Sequence, residues 1–264
     1  MNAAPRWELR PRSIWEAADL GVLIWRRGIW ILLLFFTLPM IATSGFIYFI
    51  LKLINAELWF NGSVLIIMLF MEFWLKPFFG RFALQVCSKL FFYERPRIKD
   101  FFSGLSGALF FGLLGDLLWR RFSPYRGVIM PLRVLERLKG SRLARRREVL
   151  ASGALYSGAA LTFFCLALNA ALNAASLVFI YTSSATLGIY DDFSSFLEFR
   201  SGVYLALIRI NFIISETLYI AMSFAVYINS RVITEGWDLQ FIFQKLNSVR
   251  KGKAGGGKST FGGF

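Results

Sequence analysis

Two long stretches without a charged residue constrain the fold of this chain more than any other feature. No Asp, Glu, Lys or Arg occurs between Gly28 and Leu51, or between Val149 and Tyr190. A helix needs about 20 predominantly apolar residues to cross the hydrocarbon core of a bilayer. Both stretches reach that length. The sequence therefore predicts an integral membrane protein that crosses the bilayer several times.

The basic residues lie almost entirely between the apolar stretches. The net charge is +14, and 27 of the 30 lysines and arginines fall within residues 1–27, 76–100, 119–148 and 230–264. Because basic connections are retained in the cytosol, this pattern predicts a multipass protein of the bacterial cytoplasmic (inner) membrane with both termini cytosolic. The same bias explains the charge without a nucleic-acid partner.

The predicted fold is an all-α integral membrane protein with about four transmembrane helices. In addition it has a re-entrant or half-buried helical segment and interfacial amphipathic helices. Ser13 precedes Glu16 by three residues, which is typical of a helix N-cap, and Pro39 is expected to kink the first span. A single helical membrane domain is predicted over 1–250, followed by a flexible glycine-rich tail at 251–264. Within the domain, an interfacial helix is predicted at 13–27 and spans at about 28–51, 58–75, 152–181 and 203–229. Alternatively, 13–27 is a plain extension of the first span.

Residues 101–118 are apolar and about long enough for a short span, but both of their flanks are basic. A single crossing would place one basic flank outside, against the charge bias. The sequence therefore predicts a re-entrant or half-buried helical segment that enters and leaves on one side.

Charged side chains at membrane depth are informative because each costs about 2.5–3.5 kcal/mol at the centre of a helix on insertion scales. Glu72 precedes Lys76 by four residues, and Asp116 precedes Arg120 by four. This spacing predicts two ion pairs, each within one helix at the interface.

Four further polar residues lie within the third and last spans. Asn169 and Asn173 are four residues apart, and Arg209 and Glu216 share one helical face. Aligning the outer ends of these antiparallel spans predicts an intramembrane polar layer of all four. Two interpretations stay open: the layer holds the helices in register, or it belongs to a proton or solute path.

The residues of known catalytic and metal sites are scarce. The chain has no histidine and only two cysteines, so it cannot form a Ser-His-Asp or Cys-His set. Residues 252–259 match the P-loop pattern, but too few residues follow for the helix that a phosphate cradle requires. We expect no catalytic residue, no metal and no cofactor.

Three segments resemble a known family. They are LRPRSI from Leu9, WRRFSPYRGVIMPLRVLERLKG from Trp119, and YINSRVITEGWDLQFIFQKL from Tyr227. They are similar to a family of uncharacterised bacterial multipass membrane proteins, whose pattern in turn resembles the membrane domain attached to some glycerophosphodiester phosphodiesterases. The resemblance implies a helical membrane module with half-buried helices. It implies no reaction, because these segments include no phosphodiesterase domain.

The expected function is non-enzymatic: a scaffold or assembly component of a bacterial envelope or membrane complex. Its basic cytosolic face would contact anionic lipid headgroups and a protein partner. The alternative is a small transporter or permease subunit that uses the polar layer. The candidate basic patch for lipid or partner comprises Arg142, Arg145, Arg146 and Arg147.

Overall fold

The computed structural model describes residues 10–54, 62–92, 112–118, 120–186 and 193–237, and all regular structure in these ranges is helical. This confirms the all-α prediction. The helices are α1 (Ile14–Ile54), α2 (Gly62–Phe92), α3 (Leu113–Leu118), α4 (Arg126–Val134), α5 (Gly140–Thr186) and α6 (Phe193–Glu235), with a 3₁₀ turn at Arg120–Phe122.

Within the described residues, three segments are long and apolar enough to cross a membrane: Ile14–Ile54, Tyr156–Thr186 and Val203–Glu235. Large apolar side chains on them face outward, and Trp30 and Phe179 are 80% and 69% exposed. Contiguous exposed apolar surface of this kind is rare on soluble monomers. These helices fit a multipass membrane protein.

Helix α1 begins where the sequence predicts. The Ser13 Oγ accepts a hydrogen bond from the Glu16 amide at 3.3 Å, which caps the first turn. The predicted interfacial helix and first span form one helix, and its dihedrals break at Gly28 (φ −111°, ψ 19°), the boundary between them. The helix therefore departs from regular geometry at Gly28, where the Leu90 side chain packs closely against it. Pro39 lies inside the same helix.

The long helices extend well beyond the predicted spans. Helix α2 continues to Phe92, and α5 begins at Gly140. The basic residues that flank the apolar stretches therefore lie largely on helices. A helix need not end where the hydrocarbon ends, because its backbone hydrogen bonds continue in water.

Four helix ends meet at one end of the bundle, which we call the basic end. The Arg12 amide donates to Asn229 Oδ1 at 2.9 Å, so α1 begins beside the end of α6. Arg146 pairs with Glu235, which brings the start of α5 there. Helix α2 ends at the same place, since the α2 residue Phe92 lies in ring contact with Trp237.

Helix α6 lies at the centre and packs against α1, α2, α4 and α5. All ten residues from Tyr219 to Ile228 are buried, because neighbours surround this part of α6. The Phe224 ring meets that of Phe91 edge to face, with centroids 5.9 Å apart. The apolar core therefore lies in the half of α6 nearer the basic end.

The predicted re-entrant segment falls partly outside the described residues, which omit 101–111. Within 112–118, α3 lies against α2, and its Asp116 is buried. The glycine-rich tail at 251–264 also lies outside the described residues.

Replacing Gly21 with alanine should destabilise the protein by about 1–3 kcal/mol, as expected for overpacking. A Cβ at Gly21 would lie 2.8 Å from the Ala221 carbonyl oxygen, and that backbone cannot move aside easily. Gly45→Ala is the matched control, because its Cβ would meet nothing within 4 Å. Thermal unfolding in detergent checks this. Equal melting temperatures for the two variants would contradict the close contact of α1 with α6.

Candidate functional site

Six charged side chains surround one cavity of about 400 Å³ between α2, α5, α6 and the segment before α4. Phenylalanine and leucine side chains form much of its wall. Cations outnumber carboxylates four to two among its charged lining residues. These residues are Glu72, Lys76, Arg121, Arg126, Arg209 and Glu216.

The Glu72 carboxylate joins three helices. It is 2% exposed and accepts hydrogen bonds from Ser44 on α1 and from the Arg209 Nε on α6, the latter at 2.9 Å. A buried carboxylate needs such a cation, because an uncompensated charge at this depth would be very unfavourable. Arg209 thereby fixes α6 against α2.

The Glu216 carboxylate is held by two cations. Lys76 Nζ lies 2.5 Å from one oxygen, and Arg126 Nη2 lies 3.0 Å from the other. Both cations also lie over aromatic rings: Lys76 over Phe212, and Arg126 over Tyr219. One carboxylate on α6 therefore holds α2 and α4 together.

These contacts replace the predicted Glu72–Lys76 pair within α2. Both side chains instead pair with α6, through Arg209 and Glu216 respectively. The four-residue spacing gave these side chains a common face of α2, and that face packs against another charged helix. Pairs across the helix interface are favoured because they compensate charges on both helices.

The two asparagines of the predicted polar layer do contact α6, through neutral groups. Asn169 donates to Ser215 Oγ at 2.7 Å, and Asn173 accepts from Asn211 at 3.1 Å. A hydrogen bond of 3.0 Å joins Asn173 to Asn169. Asn169 lines the cavity together with Arg209 and Glu216, whereas Asn173 does not.

Asp116 is also paired differently from the prediction. Arg81 Nη2 lies 2.6 Å from its carboxylate, Arg133 forms a second ion pair with it, and all three are buried. Burial, with Arg81 nearby, lowers the pKa of Arg133 to about 10, so this guanidinium stays charged at neutral pH. The predicted partner, Arg120, is exposed.

An ionic cluster joins α5, α6 and the segment that follows α4 at the basic end. Arg231 pairs with Glu136 at 3.2 Å and with Glu235 at 2.7 Å. Arg146 pairs with the same two carboxylates, and Tyr227 donates to Glu136 at 2.5 Å. The first turns of α5 are thus fixed to the bundle.

The candidate basic patch is therefore divided. Arg146 is half-buried in the ionic cluster, whereas Arg142, Arg145 and Arg147 are exposed. In the part of the chain that the structure describes, these three form no ion pair. An external anion can reach these three guanidiniums.

Sequence reasoning missed Arg121 and Arg126 as cavity residues, since both lie in a basic segment that reads as a loop. Gly127 is the one signal of burial there. Its amide donates to the Tyr219 hydroxyl at 3.0 Å, and α6 side chains occupy the space of a Cβ. Because Gly127 has no side chain, the segment that carries Arg126 can pack closely against α6.

The described residues contain no cluster of three metal-ligating side chains of the His, Cys, Asp and Glu types. Cys165 lines the cavity. The chain has no histidine that could act as a base beside this thiol. The cavity can bind polar or charged groups and compensate their charge.

Comparisons with models of protein families, with curated proteins and with solved structures found no match for this chain. The resemblance of its three segments to a membrane family stays a prediction.

Glu216→Gln should destabilise the protein by about 3–5 kcal/mol, because two half-buried cations lose the buried carboxylate that compensates them. Adding Lys76→Met should recover part of that loss. Thermal unfolding of both single variants and of the double variant measures the coupling. Glu148→Gln is the control, since this exposed carboxylate should change stability by less than about 1 kcal/mol. Additive losses in the double variant would show that the contact is energetically unimportant.

Proposed function

We propose that the protein is a non-enzymatic multipass membrane component, a scaffold or assembly subunit of a bacterial envelope complex. Its basic end would lie at the cytosolic leaflet, where it contacts anionic headgroups and a soluble or membrane partner. Such a leaflet attracts each nearby lysine or arginine by about 1 kcal/mol.

The proposed location is the bacterial inner membrane. The proposed topology has four crossings, with both termini in the cytosol. Helix α2 would be the fourth crossing, since it runs antiparallel to α1 from Gly62 to Phe92. The contact of Arg12 with Asn229 supports placing both chain ends on one side. The charge bias supports making that side the cytosol.

Residues 101–118 would form the re-entrant or half-buried segment. The Asp116 carboxylate supports this arrangement, because Arg81 on α2 and Arg133 on α4 hold α3 against the bundle. A buried ion pair can fix such a segment where loop backbone would otherwise meet lipid.

One observation carries the scaffold proposal: the start of α5 presents Arg142 and Arg145 outward from a helix that the Arg146 ion pairs hold in place. A fixed helix with exposed guanidiniums loses little entropy on binding, which favours a protein or lipid surface as its target. Arginine is also enriched at protein interfaces.

A small transporter or permease subunit is the second candidate. The charged cavity favours it, because Arg209 and Glu216 lie at membrane depth and charged groups there commonly mark ion or solute paths. Their complete pairing favours a structural role instead, since each carboxylate already has a cation.

Neutralising Arg142 and Arg145 together should weaken partner contact several-fold without unfolding the protein. We expect cross-linking in native membranes to give a discrete adduct with the wild type, and a several-fold weaker one with Arg142→Gln/Arg145→Gln. Lys52→Gln, at the opposite end of α1, should leave the adduct unchanged.

An equally strong adduct in both variants would contradict the scaffold proposal. Anion efflux from liposomes that contain only this protein, lost with Arg209→Ala, would instead support the transporter.

A further inference from the structure

A second cavity, of about 460 Å³, lies between α4 and the first turns of α5. Arg126, Ile129 and Arg133 line it from one face of α4, and Leu143, Ala144 and Arg147 line it from α5. Residues three and four apart share a helical face, so two helical faces form opposite walls. Arg120, on the preceding 3₁₀ turn, also lines it.

This arginine cavity has an unusual charge. Four arginines line it, and none of the described residues that line it is acidic. Arg126 and Arg133 have carboxylate partners, Glu216 and Asp116, which lie outside the cavity wall. Like charges in one cavity repel, so a cavity of this kind favours an anion.

Arg133 contributes charge to the cavity wall. The residue is only 3% exposed, and its guanidinium is paired with Asp116. Its positive charge adds to that of the other arginines that line the cavity.

Arg120 and Arg147 supply the free positive charge. Both are exposed, and neither forms an ion pair within the described ranges. Arg147 lies over the Tyr125 ring at 6.0 Å, which orients it. These two guanidiniums lie where a ligand from outside would first meet the cavity.

The guanidinium fork matches the paired oxygens of a phosphate, to which it donates two parallel hydrogen bonds. Ser123 adds a hydroxyl. The volume lies in the range of sites for small molecules, about 300–1,000 Å³. Ile129 and Leu143 give the cavity an apolar wall, which suits the carbon atoms attached to a phosphate more than a bare ion.

We propose that the arginine cavity binds a phosphate group carried by an anionic lipid headgroup or by a free phosphate. The proposal rests on the proposed position of the basic end at an anionic leaflet. It goes beyond general attraction to that leaflet, because it assigns one binding site to four named arginines.

The test uses the purified full-length protein in detergent and phosphatidic acid, whose headgroup is a phosphate monoester. Native mass spectrometry should show one lipid bound in preference to phosphatidylcholine. Arg120→Gln/Arg147→Gln should weaken this binding by about tenfold or more, since each charged hydrogen bond contributes substantially. Arg142→Gln/Arg145→Gln removes the same charge from outside the cavity and should change binding by less than about twofold.

A second variant adds an acid without removing an arginine. Ala144→Glu, at an exposed position of the cavity wall, should abolish binding by repulsion. Competition with inorganic phosphate identifies the source. Displacement of the lipid by phosphate alone would assign the site to free phosphate, and failure to displace it would assign the site to a lipid headgroup.

Equal losses in the two arginine double variants would overturn the proposal, because surface attraction alone would explain them. Undiminished binding in Arg120→Gln/Arg147→Gln would overturn it as well. Neither result would affect the scaffold proposal, which is tested by cross-linking of the Arg142 and Arg145 variants. Loss of the cross-linked adduct with intact phosphatidic acid binding would support both proposals as separate features.

Discussion

Two buried carboxylates, Glu72 and Glu216, dictate how the helices of this bundle can pack. A charge buried away from water is strongly unfavourable without a partner, so each carboxylate requires a cation from a neighbouring helix. Glu72 obtains one from Arg209, and Glu216 obtains two, from Lys76 and Arg126. Any rotation or shift of α6 by one residue would separate these groups, and the pairs therefore fix the register of α2, α4 and α6.

The central position of α6 follows from this constraint. It carries Arg209 and Glu216 at two levels, and it meets the ionic cluster of the basic end through Arg231. The bundle is thus held by charge at three levels and by apolar packing between them. Because these carboxylates are paired within the bundle, they leave the exposed guanidiniums on α5 uncompensated. The proposed anionic partners would supply the missing negative charge.

The sequence predicted the helical class, the start of α1 at Ser13 and the boundary at Gly28, because caps and charge-free stretches are local properties. It did not predict the partners of Glu72 or Asp116. Spacing shows which residues share a face, but the choice between a partner on the same helix and one on another depends on how α2 is rotated. Arg126 was missed for a similar reason, since only tertiary packing buries the segment around Gly127.

Reversing the Glu72–Arg209 pair tests this account most directly. The variants Glu72→Arg and Arg209→Glu each place like charges together inside the bundle, and the double variant restores an opposite pair. Thermal unfolding of the four proteins in detergent gives the coupling free energy. The account predicts that both single variants are strongly destabilised and that the double variant recovers at least half of the combined loss. A double variant as unstable as the sum of the single variants would contradict it.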